Sequence, residues 1–168
     1  MKRLVADTGP VLHLQEAGAL PLLSLSGEVF LAPLVLSELQ RHAPTLWPNG
    51  RPAWAVALIL SPRARQRAEE WKSAGLLHGG EAEALALAID IEPDWFLTDD
   101  AAARLMAESL GIHTRGSLGV VLGVAAQQLV SKAEAKVHLA ALANSSLWMS
   151  RRVQTEAHAA LDKMFPGD

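Results

Sequence analysis

The sequence predicts an α/β domain built on a parallel sheet, and three observations predict it. Short apolar runs of strand type alternate with longer helical patterns over most of the chain. The runs end in turn residues that lead directly into helix starts, as Leu4-Val5-Ala6 does at Asp7-Thr8-Gly9-Pro10. The 168 residues, half of them hydrophobic, fit one domain with a substantial core.

Each element follows in order. Leu4 to Ala6 reads as a short buried strand. Pro10 is tolerated in the first turn of the helix that follows, Asp7 or Thr8 can cap its free amides, and Val11, Leu12 and Leu14 continue it until Gly18. Ala19 to Leu25 reads as a second short helix, ended by Ser26-Gly27. Val29 to Leu31 is the next strand, and Pro33 opens a helix with Val35, Leu36 and Leu39 on its apolar side. Four breakers, Pro44, Pro48, Gly50 and Pro52, make 43–61 irregular, although Ala53 to Leu60 is apolar enough for a buried segment, helix or strand. Pro62 to Ala74 has the charge pattern of an exposed helix. Glu81 to Ile89, after Gly79-Gly80, is an Ala/Leu-rich helix of high intrinsic propensity. Trp95 to Thr98 is a buried strand ending at Asp99-Asp100, Ala101 to Leu110 is a helix closed by Gly111, and Ile112 to Thr114 is a short strand. Ser117 is expected to cap a long apolar helix through Val130, followed by helices at 131–143 and 151–164. The expected organisation is an α/β unit over 1–130 with the C-terminal helices of 131–168 packed on the same domain.

Composition excludes several classes. There is no cysteine, so a disulfide framework, a thiolate zinc site and a cysteine nucleophile are all excluded. Fifteen Lys and Arg against 18 Asp and Glu give a formal charge of -3, so nucleic-acid contact must come from local basic patches. The first apolar stretch is interrupted by Asp7, His13 and Glu16 before it reaches signal-peptide length. No run approaches the roughly 20 apolar residues of a membrane span. A cytoplasmic protein is expected.

In an open α/β sheet, ligands gather beyond the carboxyl ends of the strands. Asp7 and Asp99-Asp100 stand at two such ends, Glu81 on a loop that can reach them, and Glu38 inside an otherwise apolar helix. Asp7, Glu81 and Asp100 also stand at helix starts, where a carboxylate is explained equally well as a cap. Clustered carboxylates raise one another's pKa unless a cation neutralises them. Oxygen ligands suit Mg²⁺ or Mn²⁺, which activate water in phosphoryl chemistry. The six histidines lack zinc spacing and are expected at surface or packing positions. No GxSxG elbow, phosphate-loop lysine motif or GxGxxG turn is present.

Asp7-Thr8-Gly9-Pro10 after a strand, Pro33 followed by Glu38, Gly80-Glu81-Ala82-Glu83-Ala84-Leu85, Leu97-Thr98-Asp99-Asp100 with Arg104, and Gly116-Ser117-Leu118-Gly119 together resemble the PIN domain nucleases. The nearest resemblance is to a small prokaryotic branch with a DTGP start, related to VapC-type toxins. It spans about residues 3 to 130 and implies a three-layer α/β/α parallel sheet with a C-terminal helical extension. It further implies an Mg²⁺- or Mn²⁺-dependent ribonuclease in which water attacks an RNA phosphodiester in line. Asp7, Glu38, Glu81 and Asp100 would be the catalytic and metal-binding acids, with Asp99 a neighbour or further ligand. Glu81 stands where many relatives carry Asp. Thr8, Thr98 and Ser117 would orient carboxylates or water.

Substrate contact is expected from Arg63 and Arg67, which share a helical face, or from Arg104 and Arg115 nearer the acids. Ordinary ion pairing with Glu69 and Glu70 explains the first pair as well. No base-reading role is assigned to the five tryptophans, and Trp54 to Leu60 is a candidate interface. The expected partners are RNA, a second copy of the chain and an antitoxin protein, with no membrane. The competing reading is a PIN-like interaction module with weak catalysis. A receiver-type phosphoacceptor domain would want an acidic neighbour beside Asp7, which has none.

Overall fold

Five short strands carry the architecture: β1 (Arg3–Ala6), β2 (Glu28–Leu31), β3 (Ala55–Ala57), β4 (Trp95–Leu97) and β5 (Thr114–Arg115). In this computed structural model, which describes residues 1–168, they form one all-parallel sheet in the order β3-β2-β1-β4-β5. The expected α/β class is the observed one. The sheet is flanked by α1 (Thr8–Glu16), α2 (Pro21–Ser26), α3 (Pro33–His42), α4 (Pro62–Ser73), α5 (Gly79–Ile91), α6 (Ala101–Ser109), α7 (Ser117–Ala126), α8 (Lys132–Ala143) and α9 (Arg151–Met164).

The central strands are apolar along their length because parallel strands are covered on both faces. Leu4, Val5 and Ala6, Val29, Phe30 and Leu31, and Phe96 and Leu97 are all buried. Helix α5 packs against α3, α4 and β1, which is why its alanines and leucines from Ala84 to Ala88 face no water. Helices α8 and α9 add Ala135, Leu139, Leu142, Ala157 and Leu161 to the same core. Truncating a wholly buried leucine such as Leu85 or Leu142 to alanine costs about 2–5 kcal/mol.

The order in which strands are added to the sheet reverses at β1, which puts β4 on its free side. Val5 lies opposite Phe96 and Ala6 opposite Leu97, and the Asp7 amide donates to the Leu97 carbonyl at 2.9 Å. The residues that follow both strands therefore leave the sheet side by side, at the switch point where open α/β sheets bind ligands.

Four local expectations differ from the structure. The segment 53–60 is a strand only over Ala55–Ala57, at the sheet edge, and Ile59 beyond it is exposed. Gly116, not Ser117, is the cap of α7; the Ser117 amide and hydroxyl are both taken by Asp99. That helix ends at Ala126 rather than Val130, because Gln128 turns into the left-handed region at φ 56°. The last strand also lies later than Ile112 to Thr114, at Thr114–Arg115, where it pairs with Phe96 and Leu97.

Candidate active site

The end of β1 and the start of α1 place Asp7. Its carboxylate accepts from the Thr8 amide at 2.7 Å and from the Thr98 hydroxyl at 3.1 Å, and the residue is 4% exposed. Neutral donors are all it has from the protein. Burial pushes its pKa up to about 7; the Thr8 and Thr98 bonds oppose that rise, while the neighbouring Glu81 and Glu38 carboxylates add to it.

Glu38 reaches the same place from within α3. One of its oxygens accepts from the Thr8 hydroxyl and the other from the Gly80 amide at 3.0 Å. A β-carbon at position 80 would collide with this carboxylate, so the glycine before Glu81 is required by close approach. Glu81, in the first turn of α5, accepts from the His78 amide at 3.1 Å. Burial raises its pKa, and Asp100 and Glu38 raise it further. Asp100 caps α6 by accepting from the Ala103 amide at 2.8 Å, and its own amide donates to the Thr98 hydroxyl at 3.1 Å. Asp7, Glu81 and Asp100 thus make the hydrogen bonds of helix starts and face a common cavity as well.

Asp99 is held differently. The Ser117 amide donates to one of its oxygens at 2.8 Å, while the Ser117 hydroxyl and His13 Nδ1 (2.7 Å) engage the other. Burial alone would raise this carboxyl, but the bonds from His13 and Ser117 more than offset it and hold Asp99 below the ordinary range. A β-carbon at Gly116 would fall 2.7 Å from the same carboxylate. Its partners come from positions 13 and 117, and no single segment of sequence displays the arrangement. His13 therefore departs from the expected surface or packing role, and Asp99 spends its oxygens on protein donors.

The cavity, of about 290 Å³, is lined by Asp7, Glu38, Glu81, Asp99 and Asp100. His13 and His78 also line it, and no Lys or Arg does. Its only hydrophobic walls are Leu147 and Trp148, in the connection between α8 and α9, a contribution that the sequence did not signal.

None of the four arginines expected to hold substrate lines this cavity. Arg67 faces a separate depression with Trp71, Ile112 and His113. Neither Arg63 nor Arg67 forms an ion pair; Glu69 pairs instead with Lys72, and Glu70 accepts from Gln66. Arg104 donates to the Thr98 carbonyl at 3.1 Å and so braces the loop beneath the acids. The Arg115 guanidinium stacks 3.9 Å from the Trp95 ring centre, lying along the glycines of α7.

The donor set suits a hard divalent cation: carboxylate oxygens and two acids, Asp7 and Glu81, pushed up by burial and by neighbouring carboxylates. The protein does not bring three ligating side chains together into a closed set. An ion here would keep several waters, as Mg²⁺ commonly does. Residues 3–163 match a family model described as a PIN domain. No curated protein matches the chain.

Proposed function

Since this chain belongs to the PIN domain family, we propose that it is a metal-dependent endoribonuclease that hydrolyses RNA phosphodiester bonds. PIN domains are typically nucleases that use divalent metals. The observation that carries the reading is the cavity itself, five carboxylates at the β1/β4 switch point with no Lys or Arg among them and only Asp99 paired with a histidine.

When bound, Mg²⁺ or Mn²⁺ supplies activation of water and compensation of charge in the phosphoryl transition state. Asp7, Glu38, Glu81 and Asp100 would hold it. The chain's own donors fix their directions: Thr8 and Thr98 steer Asp7, Thr8 and Gly80 steer Glu38, and the capping bonds of α5 and α6 steer Glu81 and Asp100. Asp99, committed to His13 and Ser117, positions the start of α7 against the cavity and is not needed as a ligand.

The reading extends to the toxin half of a toxin–antitoxin pair and to a homodimer. Ile59, 85% exposed beside edge strand β3, supports a protein contact there. Light scattering that returns only monomer would remove the dimer.

Calorimetric titration with Mn²⁺ tests the metal site. Wild type should bind and an Asp7→Asn/Asp100→Asn double variant should not; equal affinities would mean that the acids do not form the site.

A further inference from the structure

Trp148 is the one tryptophan of the five with no place in the core. Trp47, Trp54, Trp71 and Trp95 all pack against it, whereas Trp148 is 83% exposed. Tryptophan is highly buried on average, so an indole left in water at the mouth of a polar cavity calls for an explanation.

The connection that carries it is anchored. The Ser146 amide and hydroxyl each donate to the Glu16 carboxylate at 2.7 Å, tying this segment to the end of α1. The Leu147 amide donates to the Ser145 hydroxyl at 3.2 Å, and Leu147 itself packs against the core. The indole is therefore presented from a fixed base beside the carboxylates, and with Leu147 it is the only apolar surface in the cavity wall.

A polyanion that enters this cavity finds carboxylates and no Lys or Arg, so phosphate contacts on its walls cannot supply the affinity. An aromatic face can, because stacking does not depend on the charge of the backbone. Resting on the nuclease reading above, we propose that Trp148 is a stacking platform for an unpaired nucleobase next to the scissile phosphate. An indole face suits any base, which gives a preference for unpaired strands over duplexes without selecting a sequence.

The test measures binding and cleavage of a fluorescein-labelled single-stranded RNA and of its duplex. Binding is read by anisotropy with Ca²⁺ in place of Mn²⁺, for wild type, Trp148→Phe and Trp148→Ala. Trp148→Ala should bind the single strand roughly 5- to 150-fold more weakly, the range for loss of one stacked base, with Trp148→Phe close to wild type. Duplex binding should change little, and the melting temperature should stay put because the ring is exposed. RNA should also shield an acrylamide-accessible emission that is missing from both variants. Trp148→Ala that binds the single strand like wild type overturns the platform and leaves the nuclease reading standing, as does a loss confined to association with a protein partner. Wild type that neither binds nor cleaves RNA overturns both.

Discussion

Asp7 and Asp99 line one cavity and live under opposite electrostatic regimes. Asp99 has His13 and Ser117 as donors and is held below the ordinary carboxyl range, so the protein supplies what its charge needs. Asp7 has two neutral donors, deep burial and acidic neighbours, and its pKa stands near 7. The difference separates a carboxylate that stabilises the fold from one whose charge the fold leaves unbalanced. Residue type and position at a strand end are the same in both; the partners decide.

The sharpest way to break the comparison is Asp7→Asn. RNA cleavage should fall by more than about 100-fold, beyond the usual cost of losing an outer-shell partner. Undiminished cleavage would remove Asp7 from the site. The same substitution should stabilise the metal-free protein at pH 8, by up to about 4 kcal/mol, because it deletes a charge whose burial is unfavourable. Urea unfolding reads this directly.

The pH dependence carries the same sign. A carboxyl whose folded pKa is raised contributes stability below its unfolded pKa, and that contribution is lost as pH rises through the folded value. Metal-free protein should therefore lose stability between about pH 4 and 7, with excess Mn²⁺ restoring it at neutral pH. A pH profile identical for wild type and Asp7→Asn would contradict the assignment.

Asp99→Asn should do the reverse. Its lowered pKa means stability that is present above the ordinary Asp value and lost as pH falls through the folded one. At neutral pH the variant should be destabilised by about 1–3 kcal/mol, leaving His13 and Ser117 with a poorer acceptor. A variant as stable as wild type would put Asp99 in the same class as Asp7. The smallest effect is expected on α4. Arg63→Ala and Arg67→Ala lie away from the cavity, and each should change RNA affinity by no more than about twofold, the scale of an ordinary surface substitution. A larger loss would return this helix to the substrate path.

The parallel sheet was legible because strands covered on both faces read as apolar runs and their helices begin at visible capping residues. The clustering of Asp7 and Asp100 followed from strand ends alone. Three things were not legible, each for a physical reason. The run around Ala55 is apolar in every register, so only pairing with Val29, Phe30 and Leu31 settles that it is an edge strand. Arginine charge carries no direction, and Arg115 is diverted by a Trp95 ring that sequence distance hides. The bond between His13 and Asp99 spans 86 positions and arises only once β1 and β4 are neighbours. Gly80 and Gly116 were the available hints, since each is a glycine where a side chain would strike a carboxylate.

The tie between Glu16 and Ser146 gives this cavity a timetable. During translation every one of its five acids is made before residue 101, but the segment that walls them is made some 130 residues after α1 begins the latch. Ala157 and Leu161, which seat α9 in the core, come later still. A nascent chain halted after α7 already holds every carboxylate and none of the apolar rim. The order of synthesis thus leaves the completion of the cavity to the later part of the chain, after its charged lining has been laid down.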